Sequence, residues 1–230
     1  NKEQRGYITP QEFNLFANQA QMDIFEQYFY DINQRERIPG NTNSYADIST
    51  LLEEKIDLFM KSFSALGAGG GKNIFFLPAD YYKLSEVRYV NRDSYGVQER
   101  IEVERVTAKH FNLARISPLT APTPQRPIYY QKDTRIIMSP THGMPGFKVN
   151  TANIHYIRKP AKVNWTYVVV GEKALSNPGA SDYQNFELHA SEETKLVIKI
   201  LALAGITLKD PGLYQIAAAE DNKNIQQEKQ

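Results

Sequence analysis

The stretch that most constrains this chain is Pro127–Pro160, PIYYQKDTRIIMSPTHGMPGFKVNTANIHYIRKP. β-Branched and aromatic residues gather in short runs, Ile128–Gln131, Arg135–Met138 and Ile154–Ile157, and Pro and Gly fall between them. This is the punctuation of a sheet, because Pro removes a ladder donor and Gly weakens a strand interior. Lys132-Asp133-Thr134 is short enough to close a hairpin between the first two runs. Ser139–Ala152, with Pro140, Gly143, Pro145 and Gly146, is a longer connection to the third. Strands this short are not stable alone, so the flanking segments must supply further strands or covering helices.

Before this stretch the pattern is first helical. Thr9-Pro10-Gln11-Glu12 combines an N-cap Thr, Pro at the first helical position and Glu at the third, a capping box that predicts a helix to about Arg35. Phe13, Phe16, Ala17, Ala20, Ile24 and Tyr28 form one apolar stripe, and Leu15, Met22, Phe25, Phe29 and Ile32 form a second. A helix apolar over so wide an arc is sandwiched between elements or packs on a partner chain. Pro39-Gly40-Asn41 ends it, and a second helix is expected from Ser44, with Asp47 three residues on, to about Leu66. Leu52, Ile56, Phe59 and Phe63 would line its inner face.

Gly67-Ala68-Gly69-Gly70-Gly71-Lys72 is not a phosphate loop. Leu66 stands where the motif's first Gly belongs, and Asn73 where Ser or Thr belongs. A flexible joint between helices and sheet is the expectation. Strands are then predicted at Asn73–Leu77, Leu84–Asn91 and Val97–Val106, with a turn at Arg92–Gly96, and a short helix at Thr107–Arg115. The Val97–Val106 segment also fits a helix. Pro118, Pro122, Pro124 and Pro127 make Ser117–Pro127 an extended connector. Beyond Pro160, Trp165–Val170 reads as one more strand and Gly171–Asp182 as loop.

Helical signals return at Ser191, read as an N-cap with Glu192 and Glu193 in the first turn. Leu196, Val197, Ile200, Leu201 and Ala204 would form the buried face, with Gly205 as C-cap and Ile206 beside it. Asp210-Pro211 starts a last helix with Leu213, Ile216 and Ala217 apolar, and the polar tail after Ala219 is expected to fray. Helices, sheet, helices in that order predict an α+β fold. Its terminal helices pack together around a central, mostly antiparallel β-region. The parts are 1–71, 72–182 and 183–230, forming one composite domain.

Composition excludes several chemistries. There is no Cys, so disulfides and thiolate metal sites are ruled out. No run approaches the ~18 apolar residues of a membrane span, and the first residues do not read as a signal peptide. His110, His142, His155 and His189 share no metal-ligand spacing, and no nucleophile-elbow or dinucleotide fingerprint occurs. Glu99, Glu102 and Glu104 interleave with Arg100 and Arg105, as on an exposed salt-bridged face. No cofactor, metal or catalytic residue is expected.

Charge is unevenly placed. Lys83–Lys173 holds 15 Lys and Arg against 7 Asp and Glu, while the rest of the chain is acidic. The excess peaks in Arg126–Lys162, where seven basic residues face Asp133 alone. Such polarity steers an acidic partner or docks the basic part of one copy on the acidic part of another; it equally suits a solvated sheet face guarded by Lys and Arg. The chain is also rich in aromatics, with 14 Tyr and 11 Phe, which suits large, partly polar contact surfaces.

Several phrases resemble virion proteins. YITPQEFNLFANQAQMDIFEQYFYDINQ (Tyr7–Gln34) resembles the opening of structural proteins encoded near the portal in crAss-like and related podovirus-type phages. Leu77–Leu84, the Pro-rich Ser117–Tyr130, Ile136–Pro140 and Ile154–Pro160 are similar to head–tail connector proteins of the adaptor and nozzle type. Phe186–Gln215 and the QQEK tail fit the same group. The resemblance implies a non-enzymatic neck-ring subunit in the virion, usually twelvefold, beneath the portal and beside other neck and tail rings. Viral DNA would pass through the lumen during genome ejection, with no membrane involved and assembly in the host cytoplasm.

On this reading Phe13, Phe16, Phe25, Tyr28 and Phe29, with Arg158 and Lys159, are the expected subunit contacts. Arg126, Lys132, Arg135, Lys148 and Lys162 are the residues expected to face DNA or an acidic partner. Two other readings stand beside it. One is a different minor virion protein, of the capsid or of tail docking. The other is a monomeric nucleic-acid-binding module that stacks bases on Tyr129, Tyr130, His155, Tyr156 and Trp165.

Overall fold

A computed structural model describes residues 8–36, 44–69, 73–92, 98–141, 151–171, 173–208 and 211–228. The helices are α1 (Pro10–Glu36), α2 (Ser44–Asp57), α3 (Ala108–Ile116), α4 (Glu193–Leu208) and α5 (Pro211–Glu228). The strands of the first half are β1 (Met60–Leu66), β2 (Ile74–Phe76), β3 (Tyr81–Arg92), β4 (Gln98–Glu102) and β5 (Glu104–Arg105). Those of the second are β6 (Ile128–Lys132), β7 (Arg135–Ser139), β8 (Thr151–Arg158), β9 (Tyr167–Val170) and β10 (Lys173–Ser176). The fold is α+β, with helices towards both termini. The chain divides into two compact units: Asn1–Leu58 with Pro160–Gln230, and Phe59–Lys159.

The helical unit is built on α1. Its capping box forms as the sequence predicts: the Thr9 backbone N–H and hydroxyl both donate to Glu12 Oε2 at 2.8 Å, and the Glu12 N–H donates to Thr9 Oγ1 at 3.2 Å. These bonds hold the Glu12 carboxyl below its usual range, the Thr9 backbone N–H contributing most. Phe16, Ala17, Ala20, Ile24, Phe25 and Tyr28 are buried. The polar residues between them pair with an extended segment. Asn14 accepts from the Trp165 N–H (2.8 Å) and donates to its carbonyl (3.2 Å); Asn18 makes both bonds with Val163, at 2.8 and 2.9 Å. Gln21 donates to the Ala161 carbonyl (2.8 Å) and accepts from the Glu187 N–H (3.0 Å). Side chains one turn apart thus serve alternate residues of the extended segment, as a neighbouring strand would.

The same unit contains a buried ion pair. Lys55 of α2 meets Glu192, with 11% and 3% of the two side chains exposed, and its ammonium sits 5.7 Å from the Tyr28 ring centroid. Glu192 belongs to a 3-10 turn, Ala190–Glu192, capped by His189, whose Nδ1 accepts from the Ser191 N–H. The cap expected at Ser191 is therefore His189, and Glu192 is buried against Lys55. Leu196 and Ala204 face inward, but Val197 and Leu201 are exposed, contrary to the single buried face expected of them. α5 continues helical to Glu228, so the expected fraying after Ala219 does not occur among the described residues; Lys199 of α4 holds Asp221 at 3.6 Å.

The β unit has two four-stranded sheets, ordered β1-β8-β3-β4 and β2-β7-β6-β5, antiparallel except where β5 meets β6. The three runs of the 127–160 stretch become β6, β7 and β8, and the first two form the expected hairpin, with Lys132 opposite Arg135. Asp133 takes the left-handed conformation (φ 53°) that so tight a turn requires. Leu84, Val87, Tyr89, Tyr129, Ile136, Ile154 and Tyr156 are among the residues of the shared core. The predicted Val97–Val106 strand is broken at buried Val103, whose N–H bonds Val87 O at 2.9 Å; here the chain leaves one sheet for the other. α3 forms where expected, capped by Thr107, and packs Phe111 and Ala114 on Ile128. The Pro-rich connector is fastened by the buried Tyr89, whose hydroxyl donates to Pro124 O.

Two assignments are corrected. Residues 60–66 are strand β1, where the sequence predicted helix, and they pair with β8 from Met60↔Ile157 to Leu66↔Thr151. Apolar residues at 60, 63 and 66 match a helical period, but the ladder to β8 prevails, as tertiary context does over local pattern. The glycine-rich run therefore connects two strands rather than helix to sheet. Gly69 adopts φ 83° there, and residues 70–72 lie outside the described residues. The second correction is β10, a strand within the predicted 171–182 loop. The turns read at Pro39–Asn41 and Asp93–Gly96 lie outside the described residues.

Candidate functional site

Strand pairing gathers basic residues at one end of the β unit. The β6–β7 tip carries Lys132 and Arg135, both exposed. Thr134 O accepts from the Leu77 N–H at 2.9 Å, which brings the start of β3 alongside. Tyr81 and the Gln131 side chain share hydrogen bonds at 3.0 and 3.3 Å, and Tyr81 is the register partner of Arg158. The Arg158 N–H donates to Phe59 O at 2.9 Å and so adds the start of β1. Lys61, Lys83, Lys132, Arg135, Arg158 and Lys159 thus share one end of the unit, with Asp80 and Asp133 among them.

Internal contacts absorb much of the negative charge there. Asp80 accepts from the Tyr156 hydroxyl at 3.0 Å and meets Lys61 at 3.5 Å, while its backbone carbonyl takes the Lys159 N–H at 2.7 Å. Burial, then the bond to Asp80 and its charge, push the Tyr156 phenol up to about 12, with Arg158 opposing. Tyr156 is therefore a fixed neutral donor at physiological pH. The Arg135 and Arg158 guanidiniums lie over Phe76 and Phe59, at 5.5 and 5.7 Å from the ring centroids. What remains is a surface of positive charge, able to hold phosphate or carboxylate groups.

The other candidates fall elsewhere. Arg126 stands beyond the opposite end of β6, roughly 20 Å from Lys132 at ~3.4 Å per residue. There it lines a cleft of about 470 Å³ with Glu86, Glu102, Glu104, Arg105 and Tyr129. Lys162 is exposed on the helical unit, and Lys148 and His142 lie outside the described residues. Phe16, Phe25 and Tyr28, expected at a subunit contact, are buried in their own chain. Their rings complete the α1 core, and Leu15 and Tyr30 are the large hydrophobic residues that helix exposes among those described. Phe13 is half-buried edge-on to Trp165 (6.0 Å), and Phe29 half-buried against Phe25 (5.1 Å).

The aromatics proposed to stack bases are also engaged. Tyr129 and Tyr156 are buried, Tyr130 packs on Phe111 at 4.6 Å, and Trp165 stacks on Tyr167 at 5.8 Å. His155 hydrogen-bonds Ser62 at 2.8 Å on the outer sheet face. A polyanion would thus be held through its phosphates, not its bases. Among the described residues no group of three His, Asp or Glu is placed to hold a metal ion, and no helix is long and apolar enough to cross a membrane.

Sequence reasoning missed two surfaces. β1 is exposed along its length apart from Ala65, and β9–β10 is a two-stranded ribbon with Tyr167, Val168, Val169, Val170 and Leu175 all exposed. The signal for the second was available in the continuous apolar run Tyr167–Val170, which reads as a strand covered on both faces. No family model and no curated protein sequence matches the chain.

Proposed function

We propose that the chain is a structural subunit of a closed ring in the head–tail connector of a tailed bacteriophage, with DNA passing through the lumen. The phrases of Tyr7–Gln34, Ser117–Tyr130 and Ile154–Pro160 suggest the family. The observation that carries the reading is the basic end of the β unit, where six Lys and Arg side chains surround two Asp. Positive charge spread over several strand ends suits weak, sequence-independent contact with phosphates, which DNA in transit requires; tight binding would stall it. Ring closure needs heterologous contacts between unlike surfaces, and the chain exposes unlike surfaces on its two units.

Averaged images of purified virions labelled with an antibody to this chain test the proposal. Label at the neck or tail axis is expected. Label confined to the capsid shell or to fibres would overturn the connector assignment and favour a minor capsid or tail-docking protein.

A further inference from the structure

The exposed strand edges suggest how copies join. β1 pairs with β8 on one side, and among the described residues no strand pairs with its other edge; Ala68, just beyond its end, bridges Ile74. Residues alternate across a strand, so Phe63 shares the core-facing side with Ala65, and Met60 and Leu66 share the opposite side. Phe63, Met60 and Leu66 are 39%, 42% and 74% exposed, so this edge strand shows apolar groups on both faces. It contains no Pro and one charge, Lys61. Natural edges are normally guarded by several charges, Pro or bulges; here the one guard, Lys61, is drawn to Asp80 at 3.5 Å, which leaves the rest of the edge able to accept a strand.

β9 is the matching half. Among the described residues it pairs with β10 and with no strand on its other edge. Tyr167 and Val169 point to one face, Val168 and Val170 to the other; none is charged and all are exposed. An isolated two-stranded ribbon is marginal in water, and a run apolar on both faces belongs inside a larger sheet. The geometry points to a strand-to-strand joint between copies, in which β9 of one copy adds to the open edge of β1 of the next. Backbone ladder bonds would supply affinity, while the valines cover Phe63 on one face and Met60 and Leu66 on the other.

A second copy is the fitting occupant because one chain bears both halves, on different units, each an open edge apolar on both faces. Joining unlike edges is heterologous and repeats head to tail until it closes. Pairing β9 with β9 would stop at a dimer and leave every β1 edge open. This joint rests on the ring reading and names the contact that would close it.

The chain has no Cys, so single-cysteine variants report without background. Ser62→Cys or Ser64→Cys copies are mixed with Val168→Cys or Val169→Cys copies, oxidised and examined for disulfide-linked dimers, both as purified protein and in virions. Cross-links are expected only in mixtures of a β1 with a β9 variant, because cross-strand Cα distances near ~5.5 Å permit the bond. Val169→Lys, at an exposed site, should abolish the large species in light scattering while leaving the monomer's circular dichroism unchanged. A large assembly unaffected by Val169→Lys and giving no mixed cross-link would overturn the joint and leave the ring reading standing. Cross-linking of Val169→Cys with itself would replace the joint by a two-fold dimer. A chain monomeric at every concentration and uncross-linked in virions would overturn the joint, and the labelled virion images then decide the ring separately.

Discussion

Gln21→Ala should be among the most damaging substitutions in the helical unit. Gln21 is 1% exposed and closes a three-way junction. It donates to Ala161 O and accepts from the Glu187 N–H, while the Glu187 carboxylate accepts from the Ala161 N–H at 2.6 Å. Truncation leaves one carbonyl and one N–H without their partner. Each such group costs about 1–3 kcal/mol when fully buried, and both residues are half-buried, which places each near the lower limit. With the cavity included, the loss should be roughly 2–4 kcal/mol. At about 2–4 °C per kcal/mol for a chain of this size, the melting temperature should fall by ~5–15 °C. Trp165 is the only Trp and sits in the same unit, between Phe13 and Tyr167, so its fluorescence follows this unit. Gln21→Met keeps the volume and removes the hydrogen bonds; its share of the loss measures them. Exposed Gln19→Ala is the control, with a change of no more than ~0.5 kcal/mol. If Gln21→Met melts like the parent, the junction contributes nothing and the reasoning fails.

Three further outcomes follow from named contacts. Lys55→Met should cost about 3–5 kcal/mol in urea unfolding, because it strands the buried Glu192 carboxylate, whereas Lys55→Met with Glu192→Leu should return to within ~1 kcal/mol of the parent. Lys132→Glu with Lys159→Glu, both at exposed positions, should abolish any salt-dependent shift of the protein on DNA without changing its melting temperature; an unchanged shift would remove the basic end from the DNA path. The raised Tyr156 pKa stabilises the fold fully below the unfolded tyrosine value of about 10, and that contribution is lost as pH rises through about 12. Stability should therefore fall across this alkaline window and fall less steeply in Tyr156→Phe, with tyrosinate absorbance showing one high step fewer; equal slopes would show that Tyr156 is not the group responsible.

Local signals in the sequence were legible where a few adjacent residues settle the geometry. Thr9 and Glu12 announce the start of α1, Thr107 caps α3, and Lys132–Arg135 turns between β6 and β7. Elements decided by distant partners were not. MKSFSAL carries a helical period, and only its ladder to β8, some 90 residues away, makes it β1. Asn14, Asn18 and Gln21 read as the polar face of a helix until residues 161–165 are laid along them. The basic segment was visible as composition. Its division was not, since strand ends bring in Lys61 and Lys83 and send Arg126 to the other end.

These long-range pairings also explain why Phe16, Phe25 and Tyr28 are buried within their own chain. α1 is apolar over a wide arc, which the sequence alone reads as a helix either sandwiched between elements or packed on a partner chain. In the structure that arc is consumed internally: Phe16, Phe25 and Tyr28 fill the core, and the amides between them bind the extended segment. Helices and loops keep exposed apolar residues, Leu15, Ile116 and Leu119 among them, but the run exposed at adjacent positions falls on a strand, the valines of β9, and β1 exposes Met60, Phe63 and Leu66. Helix faces satisfy their own backbone and associate through side chains alone, whereas open strands also present unpaired N–H and C=O groups. If copies join edge to edge as proposed, the β1 and β9 amides should be protected from hydrogen exchange in the assembly and exchange freely in the monomer.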